Sequence, residues 1–135
     1  MNDELVVLGG GESGVGSAIL AKVKGLSVFL SDSGLLKEEH RKTLLDHGID
    51  FEEGGHSEEK ILQASEVVKS PGIPDTTPLM RKIREKGIRV ISEIEFAGRY
   101  TNARMICITG SNGKTTTASL IYHIMKSAGL NVGLG

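Results

Sequence analysis

The feature that most constrains this chain is a regular alternation of short apolar runs with amphipathic stretches. Leu5-Val6-Val7-Leu8 carries no polar alternation, as a strand covered on both faces requires. A helix is expected over residues 13–24, and a second strand over 26–30. Residues 37–47 are amphipathic, with Leu44 and Leu45 expected inward and Gly48 placed as a left-handed cap. A short strand over 49–52 leads to a helix over 58–64 that Ser57 is placed to cap. The fourth strand begins at Val67-Val68 and ends at Ser70-Pro71-Gly72. Thr77-Pro78 reads as a hydroxyl cap followed by proline in the first helical turn, and that helix stops at Gly87. A fifth strand covers 88–91. Ser92 with Glu95 then forms a capping-box pattern that opens a helix to about residue 99.

Five strands alternating with helices predict an α/β fold: a Rossmann-like parallel five-stranded sheet with helices on both faces and right-handed crossovers. Residues 1–92 form the expected domain. Residues 93–104 read as a linker helix and polar bridge. Residues 105–135 read as a second start, with an apolar strand over 105–109, a glycine loop over 110–113 and a helix over 114–128. One strand and one helix bury too little surface to fold alone, so the chain reads as cut from a longer one. The apolar residues of this tail are expected to fold against residues 1–92 or to pair two copies of the chain.

Composition narrows the function. Net charge is −1 and the basic residues are scattered, without the patch or arm of a nucleic-acid binder. No apolar run reaches the roughly 18 residues of a membrane span, and the acidic start lacks a signal's basic region. The single cysteine, Cys107, excludes an internal disulfide and is expected to be buried and inert. Cytoplasm is the expected compartment. Glycine is in excess, at 18 of 135 residues, and calls for turns or loops that bring backbone close to a ligand.

Two such loops stand out. Gly9-Gly10-Gly11-Glu12-Ser13-Gly14 satisfies G-x-G-x-x-G between a strand and a helix, where helix amides can take a diphosphate. Asp32-Ser33 lies at the carboxyl end of the second strand, where an acid meets a nucleotide, and Ser70-Pro71-Gly72-Ile73-Pro74 occupies the same end of the fourth. The second loop is Gly110-Ser111-Asn112-Gly113-Lys114-Thr115-Thr116. Its amides can cradle phosphate, Lys114 supplies a point charge and the Thr115 hydroxyl can ligate Mg²⁺. Ile108 stands where the common phosphate-loop pattern has its first glycine. The four histidines show no metal-ligand spacing with one another or with Cys107.

In this order, GGGESG, SDS, SPGIP, SEIEF and ITGSNGKTTT resemble the Mur ligase family, in its D-glutamate-adding branch. The resemblance covers essentially the whole chain, and the shortened phosphate loop is that family's own form. It implies that Gly11, Glu12, Ser13, Gly14, Asp32, Ser33 and Gly72 would hold the UDP portion of a sugar substrate. Gly110, Ser111, Asn112, Gly113, Lys114, Thr115 and Thr116 would bind ATP, with Thr115 on Mg²⁺ and Lys114 and Thr115 serving catalysis. Where related ligases often carry a basic residue after the Asp-hydroxyl pair, this chain has Gly34. The implied reaction joins D-glutamate to UDP-N-acetylmuramoyl-L-alanine through an acyl phosphate, in a longer protein of which this part alone is not competent. The rival readings are an NAD-binding module, which does not account for Gly110 to Thr116 or Ser70 to Pro74, and a regulatory nucleotide-binding domain, which the length of the natural reading frame distinguishes from a ligase.

Overall fold

The computed structural model describes residues 4–135, which divide into two bodies between Thr101 and Asn102. The first body holds five parallel strands: β1 (Glu4–Leu8), β2 (Ser27–Ser31), β3 (Asp50–Glu52), β4 (Glu66–Lys69) and β5 (Arg89–Ser92). Their order is β3-β2-β1-β4-β5. The chain therefore steps outward from β1 on one side, then returns to add β4 and β5 on the other. All five strands end at one edge, and the direction of winding reverses between β1 and β4, where an open parallel sheet leaves its crevice.

Five helices cover the sheet: α1 (Glu12–Val23), α2 (Glu38–Asp46), α3 (Glu58–Ile61), α4 (Pro78–Glu85) and α5 (Glu93–Gly98). Alternate strand residues feed two cores. Leu5, Val7, Leu30 and Val68 pack with Val15, Ala18 and Leu44 on one face, while Val6, Leu8, Phe29 and Val67 pack with Ile61, Met80 and Ile83 on the other. The expected sandwich of helices about a parallel sheet is the one observed. Thr77 Oγ1 accepts from Met80 N–H, and Ser92 Oγ accepts from Glu95 N–H, so both predicted caps form. Gly48 has the positive φ, 59°, of a left-handed helix end.

Three local expectations of the first body are corrected. Ser57 does not cap α3, because Glu52 at the end of β3 takes both its N–H, at 2.8 Å, and its hydroxyl. Leu45 is 63% exposed while Leu44 is fully buried, since neighbours on a helix point about 100° apart and one of them must leave the core. The helix assigned to a linker over 93–104 belongs to the first body: Phe96 is fully buried in the α1-side core. Its ring meets Tyr100 edge-on, with centroids 5.4 Å apart.

The second body contains one regular element, α6 (Lys114–Ser127). Residues 105–109 form no strand, contrary to expectation. A strand is defined by its ladder, and all the sheet pairing among the described residues lies within β1–β5. Met105 and Cys107 are exposed rather than buried, and no residue of α6 is buried. Leu120 and Ile124, expected on a covered face, stand in solvent.

Candidate functional site

At the carboxyl edge of the sheet the glycine loop is built with no slack. Gly9 has φ 104°, and a Cβ there would lie 2.7 Å from the Ser70 Cβ, so the ends of β1 and β4 touch through a glycine. A Cβ on Gly14 would lie 1.9 Å from the Gly9 carbonyl oxygen, which seats the first turn of α1 directly on the loop. One on Gly10 would meet Leu36 at 2.0 Å. Gly9 and Gly14 are thus demanded by contact, whereas at Gly10 the obstacle is the movable end of Leu36.

Side chains then lock this backbone. Gly10 N–H donates to Asp32 Oδ2 at 2.6 Å, and Gly34 N–H donates to Asp32 Oδ1 at 2.7 Å. Asp32 therefore ties the β1 loop to the turn after β2. The Gly10 carbonyl is 2.9 Å from His40 Nδ1; a carbonyl only accepts, so that nitrogen carries the proton and donates. Ser13 Oγ donates to Glu93 Oε2 at 2.8 Å, and Ser17 Oγ donates to the Ser13 carbonyl at 2.9 Å. The helix α1 has Gly11 as its N-cap and no side-chain cap. Its first amides therefore lack the partner that a capping hydroxyl would give, and they meet the positive end of the helix dipole.

Of the residues expected to hold a nucleotide, the fold brings Gly11, Glu12, Ser13, Gly14, Asp32 and Ser33 to one edge, with Gly72 beyond the end of β4 at the same edge. Gly11, Glu12, Ser13, Ser33 and Gly72 are exposed, Gly14 is buried, and Asp32 is half-buried. The side chains bonded to the loop are Asp32, His40, Ser17 and Glu93, with no lysine or arginine, so the attraction for an anion there comes chiefly from amides.

Beside this edge, Ser31 is fully buried between Glu52 Oε1 and His56 Nδ1, each 2.6 Å from its hydroxyl. Ser31 has one proton, which the carboxylate takes, so His56 Nδ1 donates to Ser31. Burial pushes Glu52 up, but the hydrogen bonds from Ser31 and Ser57 outweigh it and hold its carboxyl below the usual range. Arg41, hydrogen-bonded to Glu53 at 3.0 Å, holds that carboxyl down as well, aided by Leu36 N–H. The sequence reading missed His40, His56 and Glu93. A histidine without ligand spacing and an acid in a first helical turn both read as ordinary surface, and their partners lie 30, 25 and 80 residues away.

In the second body, Gly113 is the N-cap of α6 with φ 78°, and Gly110 has φ 154°. Lys114 Nζ donates to the Gly110 carbonyl, folding its ammonium across the loop. Gly110, Ser111, Asn112, Gly113, Lys114, Thr115 and Thr116 are all exposed. Open helix amides beside an ammonium fit a phosphate group. For Mg²⁺ the loop supplies only the Thr115 hydroxyl of the expected set, and among the described residues no group of three His, Cys, Asp or Glu could hold a metal. No helix of the described residues is long and apolar enough to cross a membrane.

Two family models match the chain: the MurD N-terminal domain over residues 5–78 and the Mur ligase middle domain over residues 108–135. The UDP-N-acetylmuramoylalanine–D-glutamate ligase of Bacteroides fragilis is 70% identical over 131 residues, 96% of this chain and 29% of that protein. The ligase of the same name from Porphyromonas gingivalis is 57% identical over 97% of this chain and 29% of its own length. The chain thus spans under a third of these curated relatives. Among solved structures, the murein peptide ligase of Psychrobacter arcticus matches with a TM-score of 0.68 and 24% identity, over 93% of this chain and 27% of that one. The UDP-N-acetylmuramate–alanine ligase of Thermotoga maritima matches with a TM-score of 0.64 and 22% identity, over 93% of this chain and 29% of that one.

Proposed function

Because the chain belongs to the MurD N-terminal domain family, we propose that its first body holds the UDP portion of UDP-N-acetylmuramoyl-L-alanine for an ATP-dependent D-glutamate ligase. The observation that carries this reading is the braced glycine loop at the β1/β4 crevice, with uncapped α1 amides facing the edge where Asp32, Ser33 and Gly72 stand. The diphosphate would lie on the amides of residues 11–14. The nucleoside would extend toward Asp32 and Ser33, and Gly72 would line the groove from β4. The identity to the curated ligases, at 57–70%, supports the choice of substrate.

The loop Gly110 to Thr116 would hold the ATP phosphates, with Lys114 as the cation and Thr115 as one ligand of Mg²⁺. When bound, ATP supplies the phosphoryl group that activates the substrate carboxylate for attack by the D-glutamate amine. What this chain contributes is placement: the first body fixes the nucleotide end of the substrate, and the α6 amides with Lys114 fix the phosphates. The reaction has a cytoplasmic setting in this reading. The exposed apolar side chains of the second body, Met105, Ile106, Leu120 and Ile124, favour pairing between copies.

Isothermal calorimetry with UDP-N-acetylmuramoyl-L-alanine, UDP and NADH tests the assignment. The two uridine compounds are expected to bind and NADH to give no heat. NADH binding more tightly than UDP would return the loop to the dehydrogenase reading.

A further inference from the structure

Glu93 is the first residue of α5, where an acid would ordinarily be a solvated partner of the helix dipole. Here it is only 7% exposed. One oxygen accepts from the Ser13 hydroxyl at 2.8 Å; the other, Oε1, is buried without a partner. Leaving a buried acceptor unpaired costs about 1–3 kcal/mol, so stability alone does not account for a carboxyl group at this position. What the group touches is the glycine loop. Ser13 is the second residue of α1, and Glu93 Oε1 lies 3.5 Å from where a Cβ on Gly14 would be.

We propose that Glu93 is a positioning residue for the diphosphate site. It accepts a hydrogen bond from the Ser13 hydroxyl and holds the first turn of α1 so that the amides of residues 11–14 converge on the ligand. This inference rests on the uridine-diphosphate reading and adds two statements to it. First, the hydroxyl proton of Ser13 is committed to Glu93, so Ser13 meets the ligand through its N–H. Second, the pair joins the nucleotide loop to α5 and so fixes it from the side opposite Asp32 and His40. Loop amides held in place before the ligand arrives lose less entropy on binding, which is where such a residue gains affinity.

A double-mutant cycle read on ligand affinity tests this, using the whole chain with UDP and with uridine as probes. Glu93→Ala and Ser13→Ala are each expected to weaken UDP binding about tenfold, and the double variant no further, because both remove one charge-assisted bond. Glu93→Gln keeps an acceptor for the hydroxyl and is expected to stay within about threefold of the parent chain. Uridine, which has no phosphates, should bind all four variants as it binds the parent. Ser13 is exposed, so Ser13→Ala breaks the same bond without a core change should Glu93→Ala fail to fold. Additive losses, or equal losses for UDP and uridine, would overturn the proposal. If the parent chain binds no UDP, the reading beneath it falls, and the inference with it.

Discussion

Replacing Gly14 with alanine is expected to destroy UDP binding and to destabilise the first body. The added methyl would sit 1.9 Å from the Gly9 carbonyl oxygen and 3.0 Å from its carbon. Both are backbone atoms, so no rotamer change can relieve the clash. Either α1 moves off the sheet or the loop between β1 and α1 opens. Overpacking in a well-filled interior costs about 1–3 kcal/mol, and a contact this short against main chain lies at or beyond the upper end. The same displacement carries the α1 amides away from the ligand, so affinity should fall by about a hundredfold or more. Gly16, two residues on and on the exposed side of α1, is the control. A Cβ there meets nothing within 4 Å, and alanine should stabilise the helix by about 0.5–1 kcal/mol. Urea denaturation with parallel UDP titrations reads both effects. If Gly14→Ala behaves like Gly16→Ala, the loop is not packed as described.

The second large effect is expected from Phe96→Ala. Phe96 is fully buried among Val15, Ala18 and Ile91 in the α1-side core, and it carries Tyr100 against its edge. Truncating a buried phenylalanine costs about 3–5 kcal/mol through lost transfer energy and the cavity left behind. A domain of roughly a hundred residues has only about 5–15 kcal/mol in hand, so the variant should melt at least 10 °C lower. UDP binding should fall in step, because α5 carries Glu93. A linker helix would give neither result, and an unchanged melting curve would detach α5 from the first body.

How far the sequence could be read follows from which interactions are local. The strands and helices of the first body announce themselves, because a parallel strand between two helical layers leaves an uninterrupted apolar run, as at Leu5–Leu8. The glycine loop is legible because its spacing falls between a strand and a helix, although only the Gly14–Gly9 contact is local; Gly9 and Gly10 meet Ser70 and Leu36 far along the chain. The role of α5 was not legible. Six residues are too few to show helical periodicity, and the burial of Phe96 and Glu93 depends on α1, some eighty residues earlier. Ser57 shows the limit in miniature. A hydroxyl before a helix predicts a cap, but Ser57 Oγ is held by the Glu52 carboxylate and makes no bond to an α3 amide. The apolar run 105–109 was read as a strand on composition. Pairing is a property of two segments, and the sequence of one cannot supply the other.

Amide chemical-shift mapping of the isotopically labelled chain during a UDP titration tests the central claim most directly. The largest shifts are expected on Gly11, Glu12, Ser13, Gly14, Ser33, Gly34 and Gly72. They are expected to saturate together, while residues of α4, on the opposite sheet face, stay still. Saturable shifts centred anywhere else, or none at millimolar UDP, would contradict the assignment of the β1/β4 crevice as a nucleotide-sugar site.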